Sequence, residues 1–271
     1  MESFFNGTEI RDEILLGLRR KIVDSGRTIQ LAILLIGDDP VCRKYVELKK
    51  KYADKLDICF SLYQFDSSNT EAEIESTIEF LNKDTEVNGI MIQIPIEKKF
   101  NRDNLIRKIA PEKDIDGLRF CLNLKSDFRP PVVLAILEAL KRSKVLLQDK
   151  KILIVGRGFL VGDPTARALK ESGYEVMVAD SSTKDLSILT RSASVIISAV
   201  GQAGMIKNDM INPDTVLIDA GTAEQNGTLV GDIDPLAFKE AAYYTPVPGG
   251  IGPVTIAKLF ENLTTNGRLT S

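Results

Sequence analysis

The sequence predicts an α/β protein of two domains, an N-terminal α/β catalytic domain and a C-terminal Rossmann-type dinucleotide-binding domain with a cleft between them. Three observations predict it. Short apolar runs alternate with amphipathic charged segments, the pattern of βαβ units around mainly parallel sheets. A glycine-bearing stretch, Gly156-Arg157-Gly158 through Gly162, directly follows one such run at 151–155. The 271 residues suffice for two cores of ordinary size. The expected division is 1–120, with a C-terminal helix 253–271 packing back on it, and 121–252.

The elements follow in order. Ile10, Ile14, Leu18 and Ile22 recur every four positions, a helical stripe, and the apolar run 30–36 ends at Gly37-Asp38-Asp39-Pro40 as a buried strand does. A charged helix at 41–55 and a strand at 58–64 come next, then a helix announced by the capping box Thr70-Glu71-Ala72-Glu73 and a strand at 89–94. After Arg129-Pro130-Pro131, a helix at 132–144 leads to strands at 151–155, 175–179, 195–199 and 216–219. Near the C-terminus Thr245-Pro246-Val247-Pro248-Gly249-Gly250-Ile251-Gly252-Pro253-Val254-Thr255 holds three prolines, three glycines and no charge. Proline fixes φ and glycine admits backbone closed to other residues, so the stretch reads as a rigid loop that backbone can use to approach a ligand, followed by a helix at 256–262.

Composition removes several classes of function. A net charge of −3 leaves no electrostatic footprint for nucleic acid. The longest apolar run, 31–36, is far too short to span a bilayer, and Met1–Gly7 lacks a basic region followed by an apolar core, so the expectation is a cytoplasmic protein without a membrane partner. Cys42, Cys59 and Cys121 are widely spaced and form no CxxC pair, which argues against a disulfide framework and a thiolate metal site. Zero histidines exclude a Ser-His-Asp triad, a Cys-His pair and histidine-ligated zinc. Acid–base work near neutral pH then falls to a lysine of lowered pKa, a carboxyl of raised pKa, or a hydride cofactor that needs little proton transfer.

Strand 151–155, the glycine turn and a helix at 165–171 have the order of a dinucleotide site, in which a tight turn brings pyrophosphate to the positive end of a helix. The candidates are Gly156, Arg157, Gly158, Val161 and Gly162, spaced GxGxxxG, one residue longer than the usual fingerprint. Asp163 reads as a cap for a helix that Pro164 starts. Selectivity is divided: Asp180 ends the next strand, where an acid suits a ribose 2′-hydroxyl and hence NAD, whereas Arg157 and Ser181-Ser182-Thr183 suit a 2′-phosphate.

In the first domain Tyr45 and Lys49 stand one helical turn apart on one face, although Lys44, Lys49, Lys50 and Lys51 also read as an ordinary solvated run. Gln93 ends a strand otherwise made of Gly89-Ile90-Met91-Ile92, at the carboxyl end where open α/β sheets bind ligands. Asp114-Ile115-Asp116-Gly117 reads either as a turn or as a carboxylate placed in the cleft.

Together Tyr45 with Lys49, the segment 89–95, Lys113-Asp114-Ile115-Asp116-Gly117, Gly156-Arg157 with Val161-Gly162-Asp163-Pro164, and the stretch 245–255 resemble the bifunctional methylenetetrahydrofolate dehydrogenase/methenyltetrahydrofolate cyclohydrolase family, in consistent order over nearly the whole chain. The resemblance implies a one-carbon enzyme, serving purine and amino-acid biosynthesis, that passes hydride from 5,10-methylenetetrahydrofolate to NADP and then hydrolyses the methenyl product to 10-formyltetrahydrofolate. It implies that Lys49 assists proton transfers, that Gln93 orients it, that Tyr45 lies against the folate's aromatic ring and that Asp116 holds the pterin. It further implies that Pro248, Gly249 and Gly250 line the folate site, that Arg157, Ser181 and Thr222 contact the dinucleotide, that no metal is needed and that the protein is a homodimer. Cys42 and Gly158 stand where the family has serine, Pro130-Pro131-Val132-Val133 stands where it has PCTP, and Asp180 replaces its usual histidine. The last departure keeps NAD open beside NADP. The readings to be separated from this one are a small-acid dehydrogenase of the same plan and a non-catalytic cofactor-binding homologue.

Overall fold

A computed structural model describes residues 4–266. The chain divides into two compact units: Asp12–Pro131 with the chain from Ile256 onward, and the chain up to Arg11 with Val132–Thr255.

The first unit is built from α1 (Gly7–Ser25), most of which lies in it, β1 (Gln30–Ile36), α2 (Pro40–Lys55), β2 (Cys59–Phe65), α3 (Glu71–Lys83), β3 (Gly89–Gln93), α4 (Arg102–Lys108) and α5 (Leu118–Cys121). Its sheet is parallel, in the order β2-β1-β3, with Ile33 opposite both Leu62 and Met91. β1 is the central strand and Leu31 to Ile36 are buried on both faces, which is why it is a continuous apolar run rather than an alternating one. Asp39 starts α2 by accepting from Val41 N–H at 2.7 Å and Cys42 N–H at 2.9 Å, with Pro40 in the first turn. The capping box at Thr70 and Glu73 starts α3 as its sequence predicts.

The second unit contains α6 (Pro131–Arg142), β4 (Ile152–Val155), α7 (Gly162–Glu171), β5 (Val176–Ala179), α8 (Leu186–Ser192), β6 (Val195–Ser198), β7 (Val216–Asp219), the hairpin β8 (Ala223–Gln225) and β9 (Thr228–Val230), and β10 (Tyr243–Tyr244). The main sheet is parallel in the order β10-β7-β6-β4-β5. The chain leaves β4 towards β5 on one side and returns to β6 on the other, so the strand order reverses between β4 and β6. At such a reversal the loops beyond the carboxyl ends of the strands separate and leave a crevice.

Three sequence expectations are modified. The last helix, α9 (Ile251–Asn266), starts five residues before the expected 256 and includes Ile251-Gly252-Pro253-Val254-Thr255, so the rigid loop is confined to 245–250. Pro253 falls in the first turn, where a missing N–H costs no helical bond. Residues 267–271 of the expected helix 253–271 lie outside the described residues. Asp163 does not cap α7, because the helix already begins at Gly162; its carboxylate instead pairs with Arg167 one turn on, at 3.3 Å. Residues up to Arg11 group with the second unit rather than with 12–120: Phe5 N–H donates to Tyr244 O at 2.8 Å, and Phe4 stacks on Tyr244 with ring centroids 6.0 Å apart. Among the described residues, no helix is long and apolar enough to cross a membrane.

Candidate active site

In the first unit the chemistry gathers around α2 and the end of β3. Tyr45 and Lys49 do share a face of α2, with Lys49 Nζ 5.7 Å from the centre of the Tyr45 ring. Lys49 Nζ donates to Gln93 Oε1 at 2.7 Å. The Gln93 amide is held in turn, since its Nε2 donates to the Ile94 carbonyl at 2.8 Å, leaving Oε1 to face the lysine. Gln93 is buried and Tyr45 is 47% exposed, so the amide belongs to the protein interior while the ring is offered to solvent. The Ile94-Pro95 peptide is cis, and the Cys42 thiol, one turn before Tyr45 on α2, donates to the Pro95 carbonyl at 3.5 Å.

Electrostatics bring Asp116 into the same group. Burial lowers the Lys49 pKa, opposed by the nearby charges of Asp116 and Cys42. Burial pushes the Asp116 carboxyl up to about 6, opposed by Lys49. Of the two readings of Asp114-Ile115-Asp116-Gly117, the turn reading holds for the first acid. Asp114 is the turn residue: its carboxylate accepts from Leu118 N–H at 3.1 Å and Arg119 N–H at 2.7 Å, and burial pushes it up to about 7. Asp116 has no such backbone donors among the described residues. Burial thus moves the lysine and the carboxyl towards one another, the lysine down and the carboxyl up.

Cys42 was visible in the sequence as a departure from serine, but its place in this group was not. It is 1% exposed, and burial raises its thiol pKa, so it is a packed thiol rather than a reactive one.

In the second unit the turn between β4 and α7 is shaped by its glycines. Gly156 has φ +104°, and a Cβ there would press on the Ala199 carbonyl beyond β6. A Cβ on Gly162 would strike the Gly156 carbonyl, so the two ends of the turn are in backbone contact. Gly158 has open space where its Cβ would be and is not held to glycine by packing. Val161 is partly exposed; Arg157, Ser181 and Thr222 are exposed. Asp180 is engaged: its Oδ1 accepts from Ser182 N–H at 3.0 Å and Ser182 Oγ at 2.6 Å, and its Oδ2 lies 3.9 Å from Arg157 Nε. These contacts, the Ser182 hydrogen bonds foremost, hold its carboxyl below the ordinary range. The α7 hydroxyl of Thr165 is buried without a hydrogen-bond partner.

The loop 245–250 lies in the same unit. Thr245 is fully buried, Pro248 is exposed, Gly249 is partly exposed with φ +102°, and the Val247-Pro248 peptide is cis.

Models of one family match both parts of the chain: the tetrahydrofolate dehydrogenase/cyclohydrolase catalytic domain over residues 5–116, and the NAD(P)-binding domain of the same family over residues 130–270. The bifunctional protein FolD of Lactobacillus acidophilus is 38% identical over 253 residues, covering 90% of this chain and 89% of its own. The crystal structure of the bifunctional methylenetetrahydrofolate dehydrogenase/cyclohydrolase FolD from Campylobacter jejuni superposes with a TM-score of 0.92 at 33% identity, covering 98% of both chains. The Trypanosoma brucei enzyme, solved with NADP and an inhibitor, gives a TM-score of 0.89 at 28% identity over 97% of this chain and 96% of its own. Matched in both halves by a single family and end to end by its relatives, the chain belongs to the tetrahydrofolate dehydrogenase/cyclohydrolase family.

Proposed function

We propose that this chain oxidises 5,10-methylenetetrahydrofolate to 5,10-methenyltetrahydrofolate with NADP and hydrolyses that product to 10-formyltetrahydrofolate. The observation that carries the reading is the 2.7 Å bond from Lys49 Nζ to Gln93 Oε1 with Asp116 acting on the same lysine, in a chain of this family. Bound NADP supplies the acceptor for the hydride that leaves the one-carbon bridge. In the hydrolytic step water adds to the methenyl carbon, the bond from that carbon to one folate nitrogen breaks, and a proton is released.

Lys49 serves the proton transfers of the second step. Its bond to Gln93 uses one N–H and fixes the direction of the amine, and burial favours the neutral form whose lone pair accepts a proton from the attacking water. A cationic methenyl substrate disfavours the ammonium further. Asp116 accepts hydrogen bonds from the pterin, and the half-exposed Tyr45 ring stacks on the folate's aromatic ring. Pro248, Gly249 and Gly250 keep their sequence-based assignment to the folate.

The turn from β4 to α7 fits a dinucleotide. Its bare backbone at Gly156 and Gly162 leads to the helix start, and the exposed Arg157 offers a guanidinium to a 2′-phosphate. Gly158, Val161, Ser181 and Thr222 complete the proposed contacts. Asp180, placed at the end of β5 beside Arg157, favours NAD as a second acceptor. Homodimer formation and a cytoplasmic location belong to the same proposal, the former checked by molar mass in solution.

The test is to supply 5,10-methylenetetrahydrofolate with NADP or NAD and follow the absorbance of reduced cofactor and of methenyltetrahydrofolate. Methenyl product with NADP, followed by its hydrolysis, is expected. Absence of methenyl product with both cofactors would overturn the proposal and leave a non-catalytic homologue.

A further inference from the structure

The second unit buries two carboxylates that no step above uses. Asp219 ends β7 and is 1% exposed; Asp232 follows β9 and is fully buried. Both are saturated with donors. Asp232 Oδ2 accepts from Ser198 Oγ and from Val200 N–H, each at 2.7 Å, and its Oδ1 accepts from Gln202 N–H at 2.7 Å. Asp219 Oδ1 accepts from Gly221 N–H at 3.1 Å and Asp232 N–H at 3.2 Å, and its Oδ2 accepts from Ile233 N–H at 2.9 Å. The Asp219 N–H donates to Thr245 Oγ1 at 2.7 Å, and that hydroxyl donates back to the Asp219 carbonyl at 3.3 Å.

The segments held in this way are not scattered. Ser198 ends β6 and Val200 and Gln202 lie in the loop leaving it, Gly221 is in the loop leaving β7, and Thr245, bonded to the Asp219 backbone, opens the loop 245–250. The β6 loop borders the reversal of strand order between β4 and β6, and its Ala199 carbonyl is the group that packs against Gly156 across that crevice. Thr222, a proposed dinucleotide contact, follows Gly221 directly, and a Cβ on Gly221 would collide with the Asp232 carboxylate.

We infer that Asp219 and Asp232 are positioning residues for the dinucleotide, Asp232 fixing the crevice wall formed by the β6 loop and the Asp219 carboxylate tying the β7 loop at Gly221 to the 232–233 backbone. Hydrogen bonds from N–H groups to a buried carboxylate are stronger than those between neutral partners, so the two acids can hold the loops leaving β6 and β7, which have no regular secondary structure of their own. Neither acid touches the cofactor. The inference rests on the dinucleotide reading of the preceding section.

The experiment compares the whole protein with Asp232→Asn and with Ser198→Ala, measuring NADP affinity by calorimetry, KM for NADP, and hydrolysis of methenyltetrahydrofolate, which consumes no dinucleotide. Asn presents an amide NH2 to a ring of donors, so NADP affinity is expected to fall about tenfold or more in Asp232→Asn and about threefold in Ser198→Ala, with KM for NADP rising in parallel and hydrolysis at the parental rate. A purely structural role would lower both activities together and leave the affinity of the folded fraction unchanged; that result overturns the inference. Should Asp232→Asn not fold, Ser198→Ala decides alone, and parental affinity in a folded Ser198→Ala protein overturns the inference as well. Failure of the parent itself to bind NADP would instead defeat the functional reading on which it rests.

Discussion

Each unit holds a pair of aspartates in or beside its loops, and the two pairs are finished to different degrees. Asp219 and Asp232 are each met by three donors from their own unit. In the other pair Asp114 is met by the backbone of Leu118 and Arg119, whereas Asp116 has the attraction of Lys49 to set against its burial. A carboxylate without its full set of donors is costly to desolvate, and the proposed function gives Asp116 its missing partners in the pterin, whereas Asp219 and Asp232 commit their oxygens to backbone and a serine of their own unit.

Lys49→Met tests the incomplete side with the largest expected effect. Removing the group that moves protons lowers hydrolysis of methenyltetrahydrofolate by about 10²–10⁴-fold, while NADP affinity stays at the parental value. Full hydrolysis in that variant would remove the role given to the lysine.

Asp116→Asn separates substrate binding from stability. Loss of a charged acceptor raises KM for the folate about tenfold or more in steady-state assays. The stability change has the opposite sign. The folded-state pKa of about 6 lies above the ordinary value of 3.8, so folding favours the protonated form, and the associated stability is present below about pH 4 and lost as pH rises through 6. Urea unfolding at pH 8 should therefore find Asp116→Asn more stable than the parent by ~2 kcal/mol, with the two converging towards pH 4. Asp114, pushed up to about 7, also carries a cost of ionisation at pH 8, but Asn there turns an amide NH2 towards the Leu118 and Arg119 N–H groups and so gives back what it gains; a net gain in stability at pH 8 comparable to that of Asp116→Asn would erase the distinction between the two acids.

A smaller effect is expected at Asp180, which is exposed to solvent screening. Replacing it with serine removes a negative charge 3.9 Å from Arg157 and should raise the ratio of kcat/KM for NADP over NAD about fivefold. An unchanged ratio would show that Asp180 does not enter cofactor choice. Smallest of all, Gly158→Ser fills open space and should change stability, read from the melting midpoint, by less than ~0.5 kcal/mol.

These contrasts also mark what a reader of the sequence alone can see. The strands were legible because β1, β3, β4, β6 and β7 are buried on both faces and therefore read as plain apolar runs. Gln93 was legible because an amide interrupts such a run. Asp219 breaks the run Val216-Leu217-Ile218 in the same way, yet its partner Asp232 sits in an irregular segment whose pairing exists only in three dimensions. The β8–β9 hairpin carried its usual signal in Asn226-Gly227, both with positive φ, between strands too short and too exposed to show alternation. The start of α9 was hidden because Gly-Gly-Ile-Gly-Pro has the composition of a loop, and only the tolerance of a first turn for proline lets it be helix. Of Asp114 and Asp116, two residues apart in one motif, only Asp116 drew an assignment from the sequence, because the backbone donors that make Asp114 a turn residue are met only in three dimensions.

The membership of α9 bears on the order in which the chain can fold during synthesis. Ala257, Leu259, Phe260 and Leu263 complete the same core as Leu15, Leu31, Ile33 and Val46, and the Asn262 amide donates to the Ile115 and Arg129 carbonyls at 2.8 and 3.0 Å. The segment that carries Lys49 is translated first, but its core lacks one wall until well over a hundred further residues have been added. The unit that carries Lys49 is thus made in two instalments with the strands of the other unit between them, and it stays open on one side until the residues of α9 are added.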